Sequence, residues 1–351
     1  VTWEQPPSSV LSMPATPQGS GLSPRVATIV LTGVLSVVLG SLIALLPVPY
    51  AVYGPGPVTN VLGTVGPTPL IRVEGRTSYP SKGTLDMTTV EVFGGPGDPV
   101  HLPQLISAWI SRSQAVMPVD QVFPPGQTSQ DVAAQNQAEM SDSQLSATAA
   151  GLRLAGLSVP ETITVADVGS GVPAAGVLRK GDVITGVDGV AVSDSAALRA
   201  RISALKSGAA VSITLRRGGA TSTVSTTTTS QDGRTILGVN LAPTYRFPVQ
   251  VKFATRDVGG PSAGMMFALG IYDLLTPGPL SGDVKIAGTG TIDGAGQVGP
   301  IGGIAQKLVG ARDAGATWFI APGSNCNEVV GNVPDGLRVV RTDSLKQSLS
   351  E

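Results

Sequence analysis

Ser262 and Lys307, 45 residues apart in the C-terminal third of a 351-residue chain, are the side chains whose types and surroundings could do covalent chemistry. Ser262 lies in Gly260-Pro-Ser-Ala-Gly264, between a strand-like stretch (249–255) and an apolar helix expected over 265–275. Proline suits the start of a helix, where its missing N–H is an orphan anyway. The N–H groups of that turn carry positive potential and suit an oxyanion. A serine there also serves simply as a helix cap, so this motif alone decides nothing. Lys307 adds the second half. In the helix expected over 303–314, Ile304, Leu308 and Ala311 define a buried stripe. Lys307 falls inside it, Gln306 and Asp313 fall on the opposite face, and Arg312 lies at the edge. A lysine in an apolar stripe must snorkel out, pair with an acid or lose its proton. Full burial lowers a lysine pKa by up to roughly 3–5 units, and a neutral amine is a competent general base near pH 7. A serine nucleophile without a histidine needs such a base.

The composition narrows the alternatives. His101 is the single histidine and Cys326 the single cysteine, which excludes an intramolecular disulfide, a multi-thiolate zinc site and histidine-cluster metals. No metal or other cofactor is expected. His101, in HLPQLISAWI, reads as a solvated or capping residue, Cys326 as a small packed or loop residue, and Trp109 and Trp318 as packing. With 23 basic and 24 acidic residues the net charge is −1, so no nucleic-acid partner is indicated. No G-x-x-x-x-G-K-[ST] phosphate loop occurs in the chain, so no ATPase module is expected.

The elements that must position these residues are arranged as follows. Residues 26–48 are 23 consecutive uncharged residues, long enough for a hydrocarbon core of about 30 Å. Arg25 precedes them and no Lys or Arg follows until Arg72. A single-pass anchor (25–48) in the cell membrane is expected, with a disordered cytoplasmic tail (1–24) and the bulk of the chain outside. Residues 49–83, punctuated by Pro and Gly, read as a linker or a run of edge strands. Thr84–Phe93 has the β-branched, partly alternating pattern of a strand. Helical pieces follow to about residue 154, broken by a loop at 117–130. Strands are expected at 161–168, 181–189 and 210–219, with a helix over 193–208 capped by Ser193 or Asp194. The Thr/Ser run at 221–230 reads as a solvated last strand or a linker.

Region 155–230 resembles a PDZ domain of the bacterial protease-associated kind. The residues that carry this are Val168-Gly-Ser-Gly-Val-Pro-Ala-Ala-Gly176, Leu178-Arg-Lys-Gly-Asp-Val-Ile184, Val187-Asp-Gly189 and Ser212-Ile-Thr-Leu-Arg216. A PDZ sheet edge accepts an extended peptide by strand addition. The resemblance puts the carboxylate-binding loop at Leu154, Ala155, Gly156, Leu157, Ser158 and Val159.

Residues 249–330 resemble the proteolytic domain of the Lon proteases. The resemblance rests on Gly260-Pro-Ser-Ala-Gly264, Thr289-Gly290, Gly296-Gln-Val-Gly-Pro-Ile-Gly-Gly-Ile-Ala-Gln-Lys307, Ala311-Arg-Asp-Ala-Gly315 and Phe319-Ile-Ala-Pro322. The whole layout is similar to the membrane-anchored, PDZ-bearing Lon-like proteases of Gram-positive bacteria (the YlbL type). The fold class expected is therefore α+β: one transmembrane helix, a β-rich PDZ domain with helices, and a Lon-type α/β proteolytic domain. That last domain would be split into 84–154 and 231–345, with the PDZ module between. The resemblance implies that Ser262 is the nucleophile, Lys307 the general base and Thr289 the residue orienting them. The backbone N–H groups of Ser262 and Ala263 are the oxyanion donors expected from their place at the helix start. Gly259 and Thr291 stand where many relatives carry an acid, with Asp257 the nearest carboxylate to the first. Protein or peptide substrates, ATP-independent cleavage and a hexameric homo-oligomer follow as expectations of the same resemblance. The alternative is a tethered PDZ scaffold with an inactive Lon-like domain.

Overall fold

Strand Thr84–Phe93 runs through the middle of the main sheet, with Leu85, Asp86, Met87 and Thr88 buried in succession, as in a strand covered on both faces. The computed structural model describes residues 23–79, 83–231, 233–255, 258–282 and 284–350. The expected tail, apart from its last two residues, and Asp257 lie outside them. Six strands form the sheet, in the spatial order Arg338–Thr342, Trp318–Pro322, Lys285–Gly288, Thr84–Phe93, Tyr50–Asn60, Ala115–Pro118. The first four are mutually parallel, and Tyr50–Asn60 runs antiparallel to both its neighbours.

Tyr50–Asn60, an interior strand, corrects the expectation of a linker or a run of edge strands at this point of 49–83. Two prolines and two glycines in YAVYGPGPVTN argue against an interior strand, yet this one is paired on both edges. Its register with Thr84–Phe93 shifts between Pro55 and Val58, so the prolines fall at an irregularity where the ladder is interrupted. Ala115–Pro118, spanning the end of the expected helical piece and the start of the 117–130 loop, is likewise a strand of this sheet. The six-stranded sheet thus begins with residue 50.

The helices Ser129–Leu154 and Gly264–Leu275 pack against each other under the sheet. Met265, Met266, Phe267, Ala268, Leu269 and Ile271 are all fully buried, and each large apolar side chain so buried contributes about 1.5–3 kcal/mol. Gly151 lets the two helices touch: a Cβ there would lie 2.7 Å from the Ala268 carbonyl oxygen and 2.9 Å from Ile271 Cβ. Helix Ile304–Asp313 packs on Tyr50–Asn60 and Thr84–Phe93 over a second small core of Ala287, Ile304, Leu308, Ala311 and Phe319.

The PDZ module has its own core and its own sheet, ordered Ala220–Thr227, Ala210–Arg217, Val183–Val187, Glu161–Val168, Val239–Tyr245. Asp194 caps helix Ser195–Ser203 by accepting from the Ala197 N–H at 2.8 Å. Asp188 and Gly189 both have positive φ (49° and 74°), which makes the tight hairpin expected there. The Val239–Tyr245 strand, expected in the proteolytic half, belongs to the PDZ sheet. The strands before the module and those after it build one six-stranded sheet. Pro24–Ala44 is a 21-residue helix with no buried residue, long and apolar enough to cross a membrane.

Gly151→Val is expected to destabilise the protein by about 1–3 kcal/mol through overpacking. Gly176→Ala, with no atom within 4 Å of its added Cβ, should be near neutral. The midpoints of urea unfolding check both.

Candidate active site

Three segments distant in sequence meet at Lys307. The serine turn comes first. Gly260 has φ 80°, and its N–H donates to the Asn136 carbonyl at 3.0 Å. Ser143 Oγ donates to the Pro261 carbonyl at 3.0 Å, so helix Ser129–Leu154 holds the turn from one side. Gly259 and Gly264 are needed for this approach. A Cβ on the first would meet Asn136 Cβ at 2.6 Å, and one on the second would meet Ser143 Oγ and Ile292 Cγ2, each at 2.8 Å. The helix itself starts at Gly264 with Ala263 as N-cap. Pro261 therefore lies in the turn before the helix rather than at its first residue, which corrects the sequence reading. The N–H groups of Ser262 and Ala263 meet no acceptor among the described residues.

The second segment leaves the end of strand Lys285–Gly288. Gly290 N–H donates to the Ser262 carbonyl at 2.8 Å, and Met265 N–H donates to the Gly290 carbonyl at 3.0 Å. Thr289 Oγ1 donates to the same Ser262 carbonyl at 3.0 Å. The serine turn and the 289–290 bend are thus stitched together by three bonds. Gly288 has no room for a side chain, because a Cβ would meet Met266 Sδ at 2.7 Å.

The third segment is helix Ile304–Asp313, entered through Gly303 in the left-handed region (φ 68°), where only glycine is unstrained. It delivers Lys307, 1% exposed, between the other two. Lys307 Nζ lies 2.8 Å from Ser262 Oγ and 2.9 Å from Thr289 Oγ1. No ion pair reaches it among the described residues. Burial without a counter-charge pushes its pKa from 10.5 down to about 7. Gln306, expected on the exposed face, is buried as well. The helix is clamped over the sheet, with Gly310 close above Pro55 and Gly56, so more than one face is covered.

The structure brings Ser262, Thr289 and Lys307 within hydrogen-bond distance of one another. Leu154–Val159 do not line an open sheet edge. Leu154, Ala155, Leu157 and Val159 pack into the proteolytic core, and the edge of the following strand, Glu161–Val168, is closed by Val239–Tyr245. Ala220–Thr227 is one of the two edge strands of the PDZ sheet, Val239–Tyr245 being the other. Beside it a cavity of about 830 Å³ is lined by Leu198 and Ile202 of the helix and by Ile236, Leu237, Val239 and Leu241. Gly238 (φ 75°) turns the chain there, and a Cβ would strike Val172 Cγ1 at 2.6 Å. Sequence reasoning missed this loop, although Ile236-Leu237-Gly238-Val239 joins apolar residues to a glycine just before a strand. His101 is the N-cap of helix Leu102–Ile110, its N–H held by Gln104 Oε1 at 2.9 Å. Cys326 is a half-buried residue opening a short helix.

Residues 249–350 match the Lon protease (S16) C-terminal proteolytic domain, and residues 136–228 match the PDZ domain. The chain therefore carries both. The Lon protease of Clostridium beijerinckii is 33% identical over 121 residues, covering 30% of this chain and 15% of the relative. Lon protease 2 of Herpetosiphon aurantiacus is 40% identical over 93 residues (26% and 11%), and Lon protease 2 of Bacillus subtilis 33% over 94 (27% and 16%). The chain spans only 11–16% of the length of these relatives. The crystal structure of the PDZ domain of an SdrC-like protein from Listeria monocytogenes matches with 32% identity, covering 22% of this chain and 85% of that one, with a TM-score of 0.22.

The buried amine has a thermodynamic consequence. Between pH 7 and 10.5 the unfolded chain holds a proton at Lys307 that the folded chain lacks, so stability rises with pH across that window. Below pH 7 the cost is complete, on the order of 5 kcal/mol. Lys307→Met is expected to stabilise the fold by a few kcal/mol at pH 6–7, with the advantage shrinking toward pH 10. Denaturant titrations across pH check this; a Met variant no more stable than wild type at pH 6 would contradict it.

Proposed function

We propose that the protein is an ATP-independent, membrane-anchored serine endopeptidase with a Ser262–Lys307 dyad, fed by its PDZ module. The 2.8 Å contact between a fully buried, uncharged-poised amine and a hydroxyl carries this reading. A neutral amine has two N–H bonds and one lone pair. One N–H goes to Thr289 Oγ1, whose own hydrogen is committed to the Ser262 carbonyl. The lone pair is left to face the Ser262 hydroxyl. Lys307 takes that proton as Ser262 Oγ attacks the scissile carbonyl carbon. The oxyanion that forms is received by the free N–H groups of Ser262 and Ala263. The Lys307 ammonium then protonates the leaving amine; the neutral Lys307 amine next takes a proton from the water that attacks the acyl carbon and returns it to Ser262 Oγ as the ester bond breaks and the acid product leaves. Thr289 is a positioning residue.

Substrate delivery follows from the open edge of Val239–Tyr245. An extended chain terminus adds there as a further strand, its side chains entering the cavity beside helix Ser195–Ser203. No nucleotide-driven unfolding is available within these residues, so the substrates are loosely folded or offer an exposed tail. Pro24–Ala44 spans the membrane, with the N-terminus cytoplasmic because Arg25 precedes the span and the catalytic part outside.

Hydrolysis of an unfolded protein such as casein, without nucleotide, tests the proposal. Wild-type activity should rise with pH through a midpoint near 7, the value to which burial brings Lys307, and then level off. Ser262→Ala should reduce turnover to background while leaving the fold intact; full activity in that variant would refute the assignment. Thr289→Val should lower kcat by about 10–100-fold with little change in KM, because it loosens the base rather than the substrate.

A further inference from the structure

We propose that the outer face of helix Leu102–Ile110 lies on the lipid surface that the Pro24–Ala44 helix enters, giving the proteolytic domain a second membrane contact. This rests on the reading of Pro24–Ala44 as membrane-spanning. The helix is apolar on both sides. Its inner face, Leu105 and Ala108, is buried with Val52 and Val100. Its outer face shows Ile106, Trp109 and Ile110 to solvent at 46%, 63% and 78% exposure. These residues recur at i, i+3 and i+4, so they share one side. Trp109, expected to be a packing residue, has only an edge contact with Tyr50, ring centroids 6.4 Å apart.

Position decides what covers this face. Pro47, three residues beyond the end of the apolar helix, is bridged to His101, the N-cap of helix Leu102–Ile110. Val48 N–H donates to the Val100 carbonyl at 2.9 Å, fixing the same junction. Leu45 and Leu46, both exposed, connect the two apolar surfaces without a break. No Asp, Glu, Lys or Arg occurs from Val26 to Ile71 or from Pro99 to Ser111. Exposed Arg112 follows directly. A Trp and a Tyr beside the exit of a span, an aliphatic face below them and a guanidinium at the rim match the chemistry of the headgroup layer. A domain held at the anchor alone can swivel; one that also rests this helix on the bilayer keeps a fixed tilt.

Spin labels on the full-length protein in phospholipid vesicles test the contact. In a Cys326→Ser background, one cysteine is placed at a time at Ile110, at Leu35 in the apolar helix, or at Val330. All three sites are exposed, so none disturbs packing. Collisions with oxygen, which concentrates in lipid, are compared with collisions with a water-soluble nickel chelate. The label at 110 should favour oxygen as the label at 35 does, and the label at 330 should favour the chelate. Chelate preference at 110 with oxygen preference at 35 would overturn the proposal while leaving the anchor intact. A label at 110 shielded from both reagents would mean that a second copy of the chain covers this face, and would overturn it equally. Chelate preference at 35 would show instead that the spanning reading had failed.

Discussion

An amine buried among apolar side chains with no carboxylate to answer it is the constraint on which the site depends. The contrast with Lys285 in the same domain is instructive. That residue is part-exposed and pairs with Asp86 at 3.4 Å, while its Nζ also donates to the Ala314 carbonyl. Burial raises the Asp86 pKa and Lys285 opposes the rise, which is the ordinary behaviour of a structural pair. Lys307 has two hydroxyls in place of a charge. Desolvation is therefore not compensated, and the charged form of the amine is disfavoured. The fold holds a locally unfavourable group in place because everything around it is over-determined.

That over-determination is distributed along the whole chain. The sheet brings Lys285–Gly288 beside Thr84–Phe93, so the bend at 288–290 is fixed by a strand from the other side of the PDZ module. Helix Ser129–Leu154 secures the serine turn through Asn136 and Ser143. The same helix ends in Arg153, which donates to the Gly294 and Val159 carbonyls and pairs with Glu161 at the start of the PDZ sheet. Glu161 in turn accepts from the N–H and hydroxyl of Ser195, and Arg199 pairs with Asp293. The PDZ module is thus seated against the loop of the hairpin that follows Thr289. Its placement relative to Ser262 and Lys307 is set by charge-assisted bonds, not by apolar contact alone.

Much of this was legible in the sequence, and the failures have physical reasons. Thr84–Phe93 has the bounds its pattern suggested, and a lysine inside a helical apolar stripe pointed to its own burial. Tyr50–Asn60 was not legible as an interior strand, because its prolines are tolerated only through a register shift that pairing partners create. Gln306 was assigned to the outer face by helical period; the sheet wraps further round the helix than period alone reveals. The loop at 154–159 does not border an open sheet edge, for a topological reason. Local pattern identifies strand Glu161–Val168 but not which distant segment closes its edge, and here Val239–Tyr245 does. Trp109 misled because a large aromatic is usually packed, and its exposure makes sense only beside the end of the apolar helix.

The protonation state of Lys307 is the most direct point of test. NMR titration of the Cε and Nζ signals in protein labelled at lysine, assigned by the signal lost in Lys307→Met, reads that state without reference to any substrate. A midpoint near 7, set apart from the other lysines, is the expected result. A midpoint at about 10, the value of an amine in water, would contradict a buried general base and with it the catalytic reading of the site.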